Sequence, residues 1–454
     1  MSQANDAQSM RIAVVGLGYV GLTTAVGLTA IGHRVVGVDT DCQRVSMLRA
    51  GTVPMHEPGL QAGLLEHARD ILITASLDEA LATMPEIVMI AVQTPAEPDG
   101  PSDPSFVESV ARDIGRSLKA PATIVVRSTA PLGTAARVRE IASAEYGAPL
   151  AVAANPEFLS EGKAYEAFLR PDRVVVGVDE EATAAQMRSV YARLDAPLIV
   201  TDIVTAELSK YAANAFLATQ ISFINELADL AAAAGADISS VSRILKLDKR
   251  VGEYAYLSAG LGYGGSCLPK DLRTLADSAE RLGVNMRLAR AVAEVNDERA
   301  SRVVDQLTSA IGDVAGKRVA IWGLAFKGGT SDVRESPAIR VVRRLIEAGA
   351  EVRAYDPLAE DAAAPLLETV VLCDGMYAPL EDADALVVLT DCRDFASPDY
   401  AEMQRRMRRM IIVDGRNMLD PERVRAAGFR HIGVSDPRER ASARATGAKR
   451  EGRA

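Results

Sequence analysis

Cys267 stands in the most unusual segment of this 454-residue chain, Gly260-Leu-Gly-Tyr-Gly-Gly-Ser-Cys267-Leu-Pro-Lys270-Asp271. Gly262, Gly264 and Gly265 make a loop whose backbone can wrap a ligand, and Pro269 marks the first turn of a helix. The thiol thus falls at a helix N-terminus beside Lys270, where peptide dipoles and a cation favour thiolate, the nucleophilic form. No Gly-Lys-Ser/Thr follows at P-loop spacing. Cys42, Cys373 and Cys392 lack such settings and read as small buried hydrophobes.

A second constellation is Gly16-Leu-Gly18-Tyr19-Val20-Gly21, which follows an apolar run and opens a helical one. Glycines in that context permit a tight turn and let backbone N–H groups approach a pyrophosphate. Asp39, closing the next apolar run, is placed to take ribose hydroxyls and to repel a 2′-phosphate, which favours NAD over NADP. Arg44 is a basic neighbour able to receive such a phosphate.

Other candidates each have a plainer alternative. Lys210 and Asn214 are four residues apart and share a helix face. The lysine either acts there or extends to water past Leu208, Tyr211 and Phe216. Asn155-Pro-Glu157-Phe158-Leu159-Ser-Glu161-Gly offers two carboxylates in a loop, either functional or simply solvated. Arg127-Ser-Thr129 through Thr134 is a hydroxyl cluster that could equally cap a helix. Lys327, Arg334 and Arg416 are basic groups near strand ends, suited to phosphate. The four histidines show no metal or triad spacing, and no metal is expected.

The elements that must position these groups follow from periodicity. Arg11–Val15 and His33–Val38 read as strands flanking a helix over 20–31, a doubly wound beginning. Strands over 86–92, 123–127, 148–153 and 173–178 extend one parallel sheet that ends near Asp202. Residues 205–235 read as one long helix, with more helices near 237–247, 270–283 and 286–310. Arg318-Val-Ala-Ile-Trp-Gly323-Leu-Ala325 then repeats Arg11-Ile-Ala-Val-Val-Gly16-Leu-Gly18, with a helix over 337–349 and a strand from Glu351 to Asp356. Ala325 replaces the second glycine, so this copy should not hold a dinucleotide in the usual way. The predicted fold class is α/β: two doubly wound, Rossmann-like parallel-sheet domains joined by a central all-α segment with a long helix. The predicted boundaries are 11–203, 204–312 and 316–435, with a basic, disordered tail over 436–454.

The composition is that of a globular protein, with 48% hydrophobic and 25% charged residues. The net charge of −10 argues against a nucleic-acid partner. The most apolar stretch, residues 211–234, carries Asn214, Asn225, Glu226 and Asp229, which argues against a membrane span. Residues 1–10 lack the basic start and apolar core of a secretion signal, and a cytoplasmic location is expected.

Taken in order, Gly16-x-Gly-Tyr-Val-Gly21, Thr94-Pro95, Ser128-Thr129, Asn155-Pro-Glu157-Phe-Leu, Lys210-x-x-x-Asn214, Gly264-Gly-Ser-Cys267-Leu-Pro-Lys-Asp271 and Phe326-Lys327 through Arg334-Glu-Ser-Pro337 resemble the UDP-glucose/GDP-mannose dehydrogenase family over about residues 11–435. Gly-Ser-Cys, rather than Gly-His-Cys, is similar to its glucose and mannose branch. The resemblance implies NAD as cofactor, a small-molecule substrate such as UDP-glucose, and a homodimer. It implies a four-electron oxidation of a sugar C6 alcohol through a thiohemiacetal and a thioester on Cys267. Under it Glu157 is the base for water, and Lys210 with Asn214 stabilises oxyanion charge. Asp271 orients Lys210 and the water, which Thr129 helps to hold. Gly16, Gly18, Tyr19, Val20, Gly21, Asp39, Arg44, Thr94, Thr129, Glu161 and Arg334 would contact NAD. Glu157, Phe158, Leu159, Lys210, Asn214, Tyr256, Gly264, Lys327 and Arg416 would line the sugar-nucleotide site, with Arg250 reaching across a dimer. GDP-mannose or another UDP-hexose is the alternative substrate. A non-catalytic nucleotide-sugar sensor would require a missing catalytic group, and a two-electron hydroxyacid dehydrogenase would need neither the cysteine loop nor the third section.

Overall fold

A computed structural model of the chain describes residues 9–96 and 100–435, so the tail predicted over 436–454 lies outside the described residues. The described residues divide into two compact units, those up to 213 together with 273–284, and residues 214–272 together with 285–435. Two doubly wound sheets, one in each, are joined by a 32-residue helix, Ile203–Ala234. Among the described residues no helix is long and apolar enough to cross a membrane.

The first unit holds eight strands: β1 (Arg11–Val15), β2 (Arg34–Val38), β3 (Ile71–Thr74), β4 (Ile87–Ile90), β5 (Thr123–Val126), β6 (Val152–Ala154), β7 (Val174–Val178) and β8 (Leu198–Thr201). Their order is β3-β2-β1-β4-β5-β6-β7-β8. The first six are parallel, and β7 pairs antiparallel with β6 while running parallel to β8. The inner strands are short apolar runs buried on both faces, as a sheet covered by helices on either side requires, while the outer β3 and β8 are partly exposed. One face packs Ile12, Val14, Val35 and Met89 under the first helix, Tyr19–Ala30. The other packs Ala13, Val88, Ile90 and Ile124 under helices Ser105–Ser117 and Thr134–Tyr146.

The second unit carries β9 (Arg318–Trp322), β10 (Glu351–Tyr355), β11 (Val371–Leu372), β12 (Ala385–Val388), β13 (Ile411–Asp414) and β14 (Arg430–Gly433). These form one parallel sheet ordered β11-β10-β9-β12-β13-β14. Helices Ile238–Leu247, Leu268–Arg281 and Arg287–Ile311 lie between the sheets in sequence. Cys42 is exposed rather than buried, and Cys373 and Cys392 are half-buried.

The internal repeat is physical as well as textual. Gly16 and Gly323 both adopt positive φ, +92° and +95°, and each donates its N–H across the turn, to Val38 and to Tyr355. An aspartate closes each turn. Asp39 accepts from the N–H of Leu17 at 2.7 Å, and Asp356 accepts from Leu324 at 2.7 Å and Ala325 at 3.0 Å. The copies then diverge. After Gly18 the first helix begins at once, whereas residues 324–336 run as a loop before the helix Pro337–Glu347. Thr390 fills the second turn, 2.3 Å from where a Cβ on Gly323 would stand, and donates to the Ala325 carbonyl.

Asp356 accepts four backbone N–H bonds, from Leu324, Ala325, Leu358 and Ala359. Asp356→Ala therefore lowers the stability of this unit by about 2–4 kcal/mol, read by urea denaturation. Trp322, the chain's single tryptophan, lies fully buried on β9 and reports it by fluorescence. An unchanged midpoint would remove Asp356 from this role.

Candidate active site

The first unit brings the dinucleotide candidates to the C-terminal end of β1, the usual ligand edge of an open α/β sheet. Gly18 is the N-cap of the first helix, no side chain caps that end, and its first turn carries no acid. A Cβ on Gly18 would meet nothing within 4 Å, so the approach is open. A Cβ on Gly21 would stand 1.7 Å from the Gly16 carbonyl oxygen, so glycine is required for helix and turn to meet. Uncapped N–H groups of Tyr19, Val20 and Gly21 over an open glycine suit a pyrophosphate. Asp39 is buried at the end of β2 and pairs with Arg44 at 2.9 Å. The arginine is thereby engaged with the carboxylate, an acceptor that fits the diol hydroxyls of NAD.

Lys210 settles one alternative left open by the sequence. It is 3% exposed, does not extend to water, and pairs with Glu157 at 3.2 Å. Glu157 is 5% exposed, so it is not a solvated loop acid. Its carboxylate also accepts the N–H of Leu159. Asn155, fully buried, anchors this loop by donating to the Val175 carbonyl and accepting from Arg127 at 2.7 Å. Phe158 lies under the Arg173 guanidinium, 3.8 Å from ring centroid to Cζ, with Lys210 Nζ at 5.6 Å. Glu157, Phe158 and Leu159 line a cavity of about 140 Å³. Thr129 and Lys210 line a second one of about 20 Å³, room for a single water. Thr94 donates to the Thr129 carbonyl at 2.7 Å, tying the two strand ends together. Glu161 is half-buried in the turn just beyond.

Two carboxylates in this unit carry positions that sequence reasoning missed. Glu57 bonds the Tyr19 hydroxyl and accepts the N–H of Gly162, so the first helix and the Glu161 turn share one acid. Glu207 accepts the N–H groups of Gly133 and Ala135, capping helix Thr134–Tyr146. Desolvation pushes its carboxyl above the ordinary range, against those two bonds. Its spacing of three residues before Lys210 was the available signal.

In the second unit Cys267 directly precedes helix Leu268–Arg281 and is exposed. Its carbonyl accepts the N–H of Asp271 at 2.8 Å, which makes it the N-cap. Asp271, 1% exposed, accepts from Asn214 at 2.6 Å and from Lys270 at 2.8 Å. Asn214 is buried as well. Gly264 is wedged on the Arg334–Pro337 segment, where a Cβ would stand 2.4 Å from the Glu335 carbonyl oxygen. Arg416 donates to the carbonyls of Leu389 and Phe326, both at 2.8 Å. Burial lowers its affinity for a proton, while Asp391 and Asp414 oppose this. Lys327 is half-buried, 5.5 Å over the Phe326 ring, and Arg334 pairs with Asp332 on the surface. Tyr256 is half-exposed, and Arg250 projects into solvent, paired with Asp248.

Glu157→Leu strips the carboxylate facing a buried ammonium and lowers stability by about 3–5 kcal/mol. The double variant Lys210→Met with Glu157→Leu regains most of that loss in thermal or urea unfolding. Additive losses from the two single changes would show that the pair is not coupled.

Three segments match models of one family: its NAD binding domain over residues 10–195, its central domain over 204–298 and its UDP binding domain over 320–421. The chain is 43% identical over 450 residues to a UDP-glucose 6-dehydrogenase of Pseudomonas aeruginosa, covering 94% of this chain and 98% of that one. It is 40% identical over 438 residues to a UDP-glucose 6-dehydrogenase of Rhizobium meliloti, covering 94% and 100%. A UDP-glucose dehydrogenase structure from Pyrobaculum islandicum superposes with a TM-score of 0.89 at 38% identity, covering 95% of this chain and 99% of that one. With its sheets, its glycine turn and its cysteine loop in place, the chain belongs to the UDP-glucose/GDP-mannose dehydrogenase family, the NAD-dependent oxidoreductases whose domains it carries in order.

Proposed function

We propose that the protein oxidises the C6 alcohol of UDP-glucose to the carboxylate of UDP-glucuronate, in two oxidations that share one thiol. The observation that carries this reading is Cys267, exposed at the N-cap of its helix with Lys270, Asp271 and Asn214 around the first turn. An alcohol-to-aldehyde oxidation has no use for a thiol, whereas a thiol can capture the aldehyde and hold it covalently for a second oxidation. NAD, when bound, accepts one hydride in each oxidation. The thiolate of Cys267 adds to the C6 aldehyde, giving a thiohemiacetal whose oxidation leaves a thioester. Water then attacks the thioester carbon, and the C–S bond breaks to release carboxylate and regenerate the thiol.

The chain's other groups divide the remaining work. Lys210 and Asn214 stabilise negative charge on the C6 oxygen, a role that burial strengthens. Glu157 takes the proton of the attacking water, with Thr129 holding that water and Asp271 fixing donors. Gly16, Gly18, Tyr19, Val20 and Gly21 hold the pyrophosphate, and Asp39, Arg44, Thr94, Glu161 and Arg334 the rest of NAD. Phe158, Leu159, Tyr256, Gly264, Lys327 and Arg416 receive the sugar nucleotide. The relatives named UDP-glucose 6-dehydrogenase, and the Gly-Ser-Cys form of the loop, support the choice of UDP-glucose. Residues 11–203, 204–312 and 316–435 form the three functional domains of this reading.

The deciding measurement is NADH formed per mole of limiting UDP-glucose, with GDP-mannose and UDP-galactose run beside it. Two NADH from UDP-glucose alone is expected. Two from GDP-mannose would move the substrate, and one from any of them would mean that the aldehyde escapes. Cys267→Ser is expected to abolish sustained uronate formation, and normal turnover in that variant would rule out the thioester.

We also infer a homodimer. The long helix exposes Phe216, Phe223 and Leu230 at seven-residue spacing, a stripe suited to another helix. Phe216→Asp with Phe223→Asp is expected to halve the mass seen by sedimentation. Arg250, in solvent beside Asp248, is the residue this reading extends toward a partner. An unchanged mass in that variant would exclude this face.

A further inference from the structure

The six residues ahead of Ser266 are fastened by side chains to which neither the glycine pattern nor the reaction assigns a role. Asn225, fully buried on the long helix, accepts the N–H of Gly260 at 2.8 Å. Asn296, 5% exposed on helix Arg287–Ile311, grips Tyr263 twice. Its Oδ1 accepts the Tyr263 N–H at 2.8 Å, and its Nδ2 donates to the Tyr263 carbonyl at 3.1 Å. Arg299, one turn further on, donates to the Asn225 carbonyl at 3.3 Å and pairs with Asp229 at 2.9 Å.

Sterics fix the same place. At Gly262, with φ +95°, a Cβ would stand 2.4 Å from Asn296 Oδ1, so loop and amide are in contact. On the other side Gly265 donates to the Arg334 carbonyl at 2.9 Å, and a Cβ there would meet the Phe326 ring. The backbone is therefore bonded at 260, 263 and 265, just before the thiol. A carboxamide carries a donor and an acceptor in one plane, so it can pair with both polar groups of one residue, as a neighbouring strand would. An ionised acid has no donor, and a hydroxyl donates and accepts from a single atom and so does not offer two separate groups side by side.

We propose that Asn296, backed by Asn225 and Arg299, is a positioning residue that sets where the Cys267 sulfur stands at the N-terminus of its helix. It acts through the loop backbone. The influence of a helix terminus on a charge falls off within one turn, so a loop that enters at another angle removes the sulfur from it. A displacement of about 1 Å also costs on the order of 100-fold in rate. The proposal rests on the reading of Cys267 as nucleophile, and its test does not need the substrate.

The test is the pH profile of Cys267 alkylation by iodoacetamide in the substrate-free protein, followed at the peptide level with exposed Cys42 as internal control. In Asn296→Ala the Cys267 profile is expected to move up by about half a pH unit, while Cys42 stays unchanged. With UDP-glucose, kcat falls by roughly 10–100-fold and the KM for NAD stays within about twofold. A role confined to stability would lower the melting temperature without moving the profile. Should Asn296→Ala fail to fold, Asn225→Ala carries the same expectations. A folded variant with the parent profile and an unchanged kcat would overturn the proposal. A parent protein that makes no NADH from any sugar nucleotide would sink the functional reading, while a shifted profile would still uphold the positioning.

Discussion

A buried ammonium organises the first unit. Lys210 sits on a helix face with almost no access to water, and an isolated charge there would cost several kcal/mol. Glu157 answers that charge, and it does so from a loop that must be held in place. Asn155 holds it, and Arg127 in turn bonds both Asn155 and Thr24 on the first helix. One desolvated lysine thus ties together the ends of β5 and β6, the first helix and the start of the long one. In the proposed reaction the same enforced pairing supplies a preset field, because water cannot screen it and no side chain must reorganise when charge develops.

The two sheets apply one turn to two ends. In both copies a glycine at positive φ closes β–turn geometry and an aspartate from the next strand stitches the turn's N–H groups. In the first copy Gly18 keeps the helix start open. In the second, Ala325 and Thr390 close it, and the chain runs on as a loop that brings Phe326, Lys327 and the Arg334 backbone forward. Small changes in side-chain volume at a shared turn separate the open helix start of the proposed pyrophosphate site from a scaffold for the cysteine loop.

Much of this was legible in one dimension. Strand–turn–helix–strand units, the 32-residue helix and the helix that starts after Cys267 all carry their signals within a few residues, as apolar periodicity, glycine and proline. The short outer strands Ile71–Thr74 and Leu198–Thr201 did not stand out, since four residues are too few for a period and their pairing is supplied by β2 and β7. Nor did any local pattern reveal that β7 and β8 run against the rest.

The sequence by itself determined the kind of chemistry: a thiol at a helix start, a glycine turn with its acid, and a lysine one turn before an asparagine. Only the tertiary structure decided which polar groups are desolvated and what answers them. Lys210 and Glu157 are 53 residues apart in the chain, Glu57 reaches Gly162, and Asn296 meets Tyr263 across 33 residues. Periodicity records which way a side chain faces, but the partner of a buried charge or amide is set by whichever distant backbone the fold brings within about 3 Å, and no local rule encodes that distance.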